Sequence, residues 1–333
     1  MTTLGEVTTP GPRQSPARAG GTRPPLPRAR TATAPAWPPP GADGDDGAEA
    51  TVRGVSGFRA YCAELVALAA IDGRVVCLAG LPGRVEHPFE QAHPERFFAL
   101  RGVASAMIEV VRGLVAAGFR PFVCTGPGLV PAALRASYLS AGAHVVAPGS
   151  GLLAQEPLLR GLDGVTLAEP CGATETRAVI RAAVGADRPY HIGVGGTPRP
   201  YWPRPDLTPG GPPPAPLAWE STGANEDEVC LVSIGEYGTG VARAARAVAP
   251  WLAHAHLVYR DATHLKAAAG ELALRRGGFV VTGVRPAPGG VADALAALLP
   301  GHPVITGTGS ALGTAAAEVE STLGAAHALT DPA

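Results

Sequence analysis

The residue types and spacings that could carry chemistry in this chain fall into three groups: paired histidines, glycine-rich turns and isolated carboxylates. His254-x-His256 would put two imidazoles on one side of a strand, with His264 close behind. That is the start of a metal site, but no Cys or carboxylate ligand accompanies it, so chance spacing is the simpler reading. Gly235-x-x-Gly238-x-Gly240 follows an apolar run, as a dinucleotide-binding loop would. The spacing is not G-x-G-x-x-G, and no acidic residue stands on a strand end about 20 residues further on. Gly307-x-Gly309-x-x-x-Gly313 lies between a strand and a helix. It suits an anion at a helix N-terminus, or the plain strand-to-helix turn that is the simpler reading. His144 and His191 read as edge or packing residues. Asp43-Gly44-Asp45 is shaped like a metal-holding turn, but no strand precedes it.

The stretch from His93 to Val123 is the most informative. Met107, Val110, Val111 and Leu114 recur at helical spacing and make one apolar face. Gly118 stands where the helix should end, and Arg120 to Cys124 is a short apolar run expected to form a buried parallel strand. Pro94, Arg96, Phe97, Phe98, Gly113, Leu114, Gly118, Pro121 and Val123 also fit, without a gap, a known text: P-x-R-F-F, a helix ending in G-L-A-x-x-G, then x-P-F/I-V. This stretch resembles the pyrimidine-binding domain of the transketolase family. Further on, G-L-D-G-V-T-L-A-E-P-C-G-A-T-E-T with R-P-Y-H-I is similar to the end of that domain. V-C-L-V-S-I-G, G-F-V-V-T-G and G-G-V-A-D-A-L are similar to the family's C-terminal domain. The resemblance covers about residues 55 to 323.

What the resemblance implies is a C-terminal subunit of a split transketolase-like protein. Such a protein transfers a two-carbon ketol unit with thiamine diphosphate and Mg2+. The diphosphate and metal would be held mainly by a partner, a transketolase N-terminal-type subunit, in a hetero-oligomer that acts on a sugar phosphate or related small molecule. The helix bearing Met107 and Val111 would lie at or beneath the subunit interface. The family's catalytic Glu falls on Ala104, or on Ser105 if the register slips by one. Neither is a carboxylate, and Glu109, about one turn further on, is a weak substitute. The aromatic residues that enclose the pyrimidine ring fall on Gly126 and Leu129, and the family's T-H-Q loop has no counterpart between Gly149 and Gly164. Cofactor-binding residues are therefore assigned by position only: Ala104, Ser105, Gly126 and Leu129. The alternative is a non-catalytic scaffold or regulatory subunit with a degenerate site.

Composition bounds these readings. The chain has 333 residues and a formal net charge of −1, with 46% hydrophobic and 17% charged residues, enough for two ordinary domains and no basis for a nucleic-acid footprint. No apolar run approaches the length of a membrane span, and the N-terminus lacks a signal-peptide apolar core. Five scattered cysteines without C-x-x-C suggest buried free thiols and a cytoplasmic location.

The elements that must position these residues follow in order. Residues 1–53 are rich in Pro, Ala, Gly and Thr and read as a disordered tail. Residues 54–195 read as the pyrimidine-binding-like domain. Ser56 caps a helix and a strand lies at Arg74–Ala79; then come a loop through Gln91, the central stretch, a helix at Val130–Leu139 and strands at Ala143–Val146 and Val165–Ala168. A helix capped by Thr174 and a strand at Tyr190–Val194 close it. Residues 196–227 read as a Pro/Gly-rich linker. Residues 228–333 read as the C-terminal-like domain: a strand at Val229–Ile234, a helix at Gly240–Leu252, a strand at His256–Tyr259, a helix at Thr263–Arg275, a strand at Phe279–Val281, a helix at Val291–Leu299, a strand at Pro303–Ile305 and a helix from Ala311. The alternation predicts an α/β protein with two doubly wound domains and mainly parallel sheets.

Overall fold

The computed structural model describes residues 55–79, 87–99, 106–125, 132–148, 159–195, 204, 206–207, 211–223, 228–284, 288–307 and 315–330. The expected tail, and positions 104, 105, 126 and 129, lie outside them.

Ser56 starts helix α1 (Gly57–Ile71) as expected: its hydroxyl accepts the Arg59 N–H at 3.2 Å. The elements then run β1 (Val75–Ala79), α2 (Pro88–Ala92), β2 (Phe97–Ala99), α3 (Ala106–Ala116), β3 (Arg120–Cys124), α4 (Ala132–Ser140), β4 (His144–Pro148), β5 (Thr166–Ala168), α5 (Gly172–Gly185) and β6 (Tyr190–Val194). The six strands form one parallel sheet in the order β2-β1-β3-β4-β6-β5. Alternate residues of each strand face opposite layers. Cys77, Phe122, Val146 and Ile192 pack under α1 and α5. Leu78, Val123, Val145 and Leu167 pack under α3 and α4, which contribute Met107, Val111, Tyr138 and Leu139.

The motif residues turn out to be framework. Arg96 donates to Ala69 O at 2.9 Å, at the open end of α1. Arg120 donates to Val184 O and Ala186 O, at the end of α5. Both satisfy carbonyls that a helix C-terminus leaves without partners. Gly118 has φ +85°, and Gly142, which ends α4, has φ +92°; both are left-handed turns that glycine makes without a Cβ clash.

The second sheet has the order β11-β10-β8-β9-β7, from β7 (Leu217–Ser221), β8 (Cys230–Ile234), β9 (Ala253–Leu257), β10 (Phe279–Thr282) and β11 (Val304–Thr306). Helices α6 (Gly235–Val248), α7 (Ala262–Leu272), α8 (Val291–Leu298) and α9 (Ala315–Thr330) cover its two faces. All pairings are parallel except β7 against β9. β7 lies within the stretch that reads as linker.

Several boundaries differ from expectation. α5 begins at Gly172, ahead of Thr174, because the Glu175 carboxylate turns back to accept the Cys171 N–H at 2.7 Å. α6 begins at Gly235, directly after β8, because Gly235 adopts φ +63° and needs no loop. α2 and β2 lie around the loop that reads as ending at Gln91. Both sheets belong to one compact unit, Ala34–Ala333. No helix among the described residues is long and apolar enough to cross a membrane.

Candidate functional site

Of the residues that the resemblance places at the cofactor site, Glu109 alone lies among the described residues. It sits on α3 opposite the buried Met107 and Val111, is 73% exposed, and pairs with Arg112 at 2.7 Å. Its carboxylate therefore belongs to the solvent face of α3.

The densest polar group instead lies where the two sheets meet. After β9 the chain runs on along β5: Glu169 N–H donates to Val258 O and Arg260 N–H to Leu167 O, both at 2.8 Å. This two-bond antiparallel bridge, Ala168 opposite Tyr259, makes the second sheet's chain an edge neighbour of the first. Arg260 then reaches back to Glu169 at 2.6 Å, with both residues buried. Asp261 caps α7 through the His264 N–H and holds the His264 ring nitrogen at 2.7 Å, while that ring stacks on Tyr259.

The His254-x-His256 pair does share one side of β9, as its spacing predicts, but it meets hydroxyls and a carboxylate. His254 Nε2 lies 2.8 Å from Ser233 Oγ, Ser233 Oγ 3.0 Å from Thr239 Oγ1, Thr239 Oγ1 3.3 Å from His256 Nδ1, and His256 Nε2 3.0 Å from Glu175. His254 can donate to Ser233 and Ser233 to Thr239, while His256 Nδ1 lies between the Thr239 hydroxyl and Ser233 O, the latter at 3.2 Å. Burial, the main cause, pushes His254 down to about 3 and His256 to about 4. Arg204 adds an ion pair on the other oxygen of Glu175. The chain of bonds crosses from α5 of the first sheet to β9 of the second.

The glycine run of α6 is also explained by packing. A Cβ on Gly238 would stand 2.6 Å from Thr282 O and 2.8 Å from Gly283 Cα, so this turn of helix lies directly on the end of β10. Thr282 Oγ1 donates to Gly238 O at 3.0 Å across that contact. The spacing that resembles a phosphate loop is a helix-on-strand approach.

His144 is a packing residue, as read: it stacks on Phe122 at 4.5 Å and accepts the Tyr190 N–H at 3.2 Å. The Gly307 run continues outside the described residues. All five cysteines are free and buried.

With this geometry in hand, comparison with solved structures gives a consistent answer. The chain superimposes on a split-gene transketolase chain, described as an inactive beta4 tetramer, with a TM-score of 0.68 and 21% identity, covering 84% of this chain and 100% of the other. Transketolase from Leishmania mexicana matches with a TM-score of 0.61 and 13% identity over 82% of this chain and 45% of that one. A Pichia stipitis transketolase variant in complex with fructose-6-phosphate matches with a TM-score of 0.60 and 12% identity, over 83% of this chain and 46% of that one. The fold is that of the C-terminal half of transketolase. This chain spans less than half the length of those two full transketolases. No protein-family model and no curated sequence matches the chain.

That fold implies thiamine diphosphate and a divalent metal, and the residues present can be tested against both. Among the described residues no group of three or more His, Cys, Asp and Glu is placed to hold a metal ion. The positions that the resemblance assigns to the cofactor, 104, 105, 126 and 129, lie outside the described residues. Glu109 faces away from the sheet and pairs with Arg112. The described residues do not supply a donor set for the metal or a buried carboxylate on α3 for the cofactor.

Proposed function

We propose that this chain is the C-terminal subunit of a two-component transketolase-like enzyme, inactive until it joins a partner that carries the diphosphate-binding domain. The first sheet then serves as the pyrimidine-type domain and the second as the transketolase C-terminal domain, divided within residues 196–227. The observation that carries this reading is the match of one whole split-gene chain to 84% of this one, while full transketolases are matched over less than half their length. The pair moves a two-carbon ketol unit between sugar phosphates or related acceptors. Thiamine diphosphate and Mg2+ are held mainly by the partner, and this chain's own cofactor positions are 104, 105, 126 and 129. Five free buried cysteines suit a reducing cytoplasm.

A second reading has its own support. With Ala104 or Ser105 in place of the carboxylate, the chain lacks the group that general acid–base assistance needs, and it then serves as a non-catalytic scaffold for its partner. Co-expression with a transketolase N-terminal-type chain, followed by calorimetry with thiamine diphosphate and Mg2+, tests the proposal. The expected result is a stable complex that binds the cofactor, while this chain alone gives no saturable micromolar heat. Cofactor binding by the chain alone would contradict it. A stable complex that binds cofactor but transfers no ketol unit selects the scaffold.

A further inference from the structure

A row of paired residues crosses the first sheet from edge to edge. Phe98 pairs with Leu78, Leu78 with Val123, Val123 with Val145, Val145 with His191, and His191 with Leu167. Arg260, bonded through its N–H to Leu167 O, extends the row by one. Residues aligned across neighbouring strands direct their side chains to the same face. Leu78, Val123, Val145 and Leu167 all belong to the core layer beneath α3 and α4, so His191 enters that layer too. It is 0% exposed, and neither of its ring nitrogens has a hydrogen-bond partner among the described residues.

The helix above this row adds a charge. Arg135, on α4 between Leu134 and Ala136 of the same layer, is 1% exposed, and its Nε and Nη1 have no hydrogen-bond partner among the described residues. No carboxylate pairs with it there. Arg260 differs, having Glu169 as its counter-ion. A guanidinium stays protonated, and an enclosed ion without a counter-charge is strongly unfavourable. Both residues are buried in the layer beneath α3 and α4, and burial first, then Arg135 and Arg260, bring the imidazole down to about 3. His191 is thus neutral, with one N–H to give.

We propose that Arg135 and His191 form a binding site for a small oxyanion of the phosphate type in the layer beneath α4. The planar fork of Arg135 suits two oxygens of such an ion, and its charge supplies the missing balance. The His191 N–H donates to the same ion.

The test uses the full chain purified in chloride buffer without phosphate or sulfate. Inorganic phosphate is added at constant ionic strength while melting temperature and binding heat are followed. The expected result is a saturable rise in melting temperature. Arg135→Met should weaken binding by about tenfold or more, as loss of a bidentate charged contact does. In chloride alone this variant should melt no lower than the parent, because an apolar chain replaces an uncompensated charge. Arg135→Lys, which keeps the charge and loses the fork, should bind between the two and serves if the Met variant fails to fold. Glycerol phosphate provides a second arm. A tighter response than to phosphate assigns the site to the phosphate end of a larger ligand, and an equal or weaker one assigns it to the free ion; both support a phosphate-type oxyanion. No saturable response to either compound, or an unchanged response in the Arg135 variants, overturns the proposal.

Discussion

Two regions of this molecule bury charge and imidazole to the same depth and treat them differently. Where the sheets meet, Arg260 has Glu169, His256 has Glu175 and Thr239, and His254 has Ser233. Beneath α4, Nε and Nη1 of Arg135 and both ring nitrogens of His191 have no hydrogen-bond partner among the described residues. A buried ion costs free energy unless a counter-ion balances it, so the Arg260–Glu169 pair needs only the fold to explain it. A buried cation with no carboxylate beside it points to something that binds. The difference separates residues that hold the two sheets together from residues that await a ligand.

The largest effect that would break this comparison lies in the first region. Arg260→Ala leaves Glu169 buried without its counter-ion and should lower stability by about 3–5 kcal/mol, read from urea unfolding. Exchanging both partners for apolar residues should recover most of that loss. If the single variant costs less than about 1 kcal/mol, the seam is not structural.

Acid should come next. His144, His191 and His254 are pushed to about 3, and His87 and His256 to about 4, each with burial as the leading cause. The folded state then holds fewer protons than the unfolded one between roughly pH 6.5 and pH 4. Stability is full above pH about 6.5 and falls as the pH drops through that window, by on the order of 1 kcal/mol per unit for each ring. Melting curves from pH 7 to pH 4.5 measure it. Glu175→Gln, which weakens the hold on His256, should cost a further 1–3 kcal/mol or so at pH 7.

A control marks the small end. Glu109→Ala should change stability by less than about 0.5 kcal/mol, because its pair with Arg112 is in water. A larger loss would mean that Glu109 has a role at an interface after all.

The sequence carried the fold further than the site. Alternating apolar runs and helical spacing give the succession of strands and helices of a doubly wound protein, and Gly118 marks the end of α3 where its positive φ requires. The starts of α5 and α6 were misread because tertiary contacts set them: the Glu175 carboxylate at one, the Gly235 turn at the other. β7 is a strand because it pairs with β9, which no local pattern in a Pro/Gly-rich segment reveals. Arg135 and His191 are 56 positions apart; the sheet register turns His191 toward the layer that α4 covers. A single His in an apolar run carries no signal of that.

Ketol transfer, assayed with this chain alone, with an N-terminal-type partner alone and with both together, tests the central claim most directly. The account predicts transfer only in the mixture, with both chains co-sedimenting. Transfer by this chain alone, or by the partner at the same rate without it, would contradict the claim.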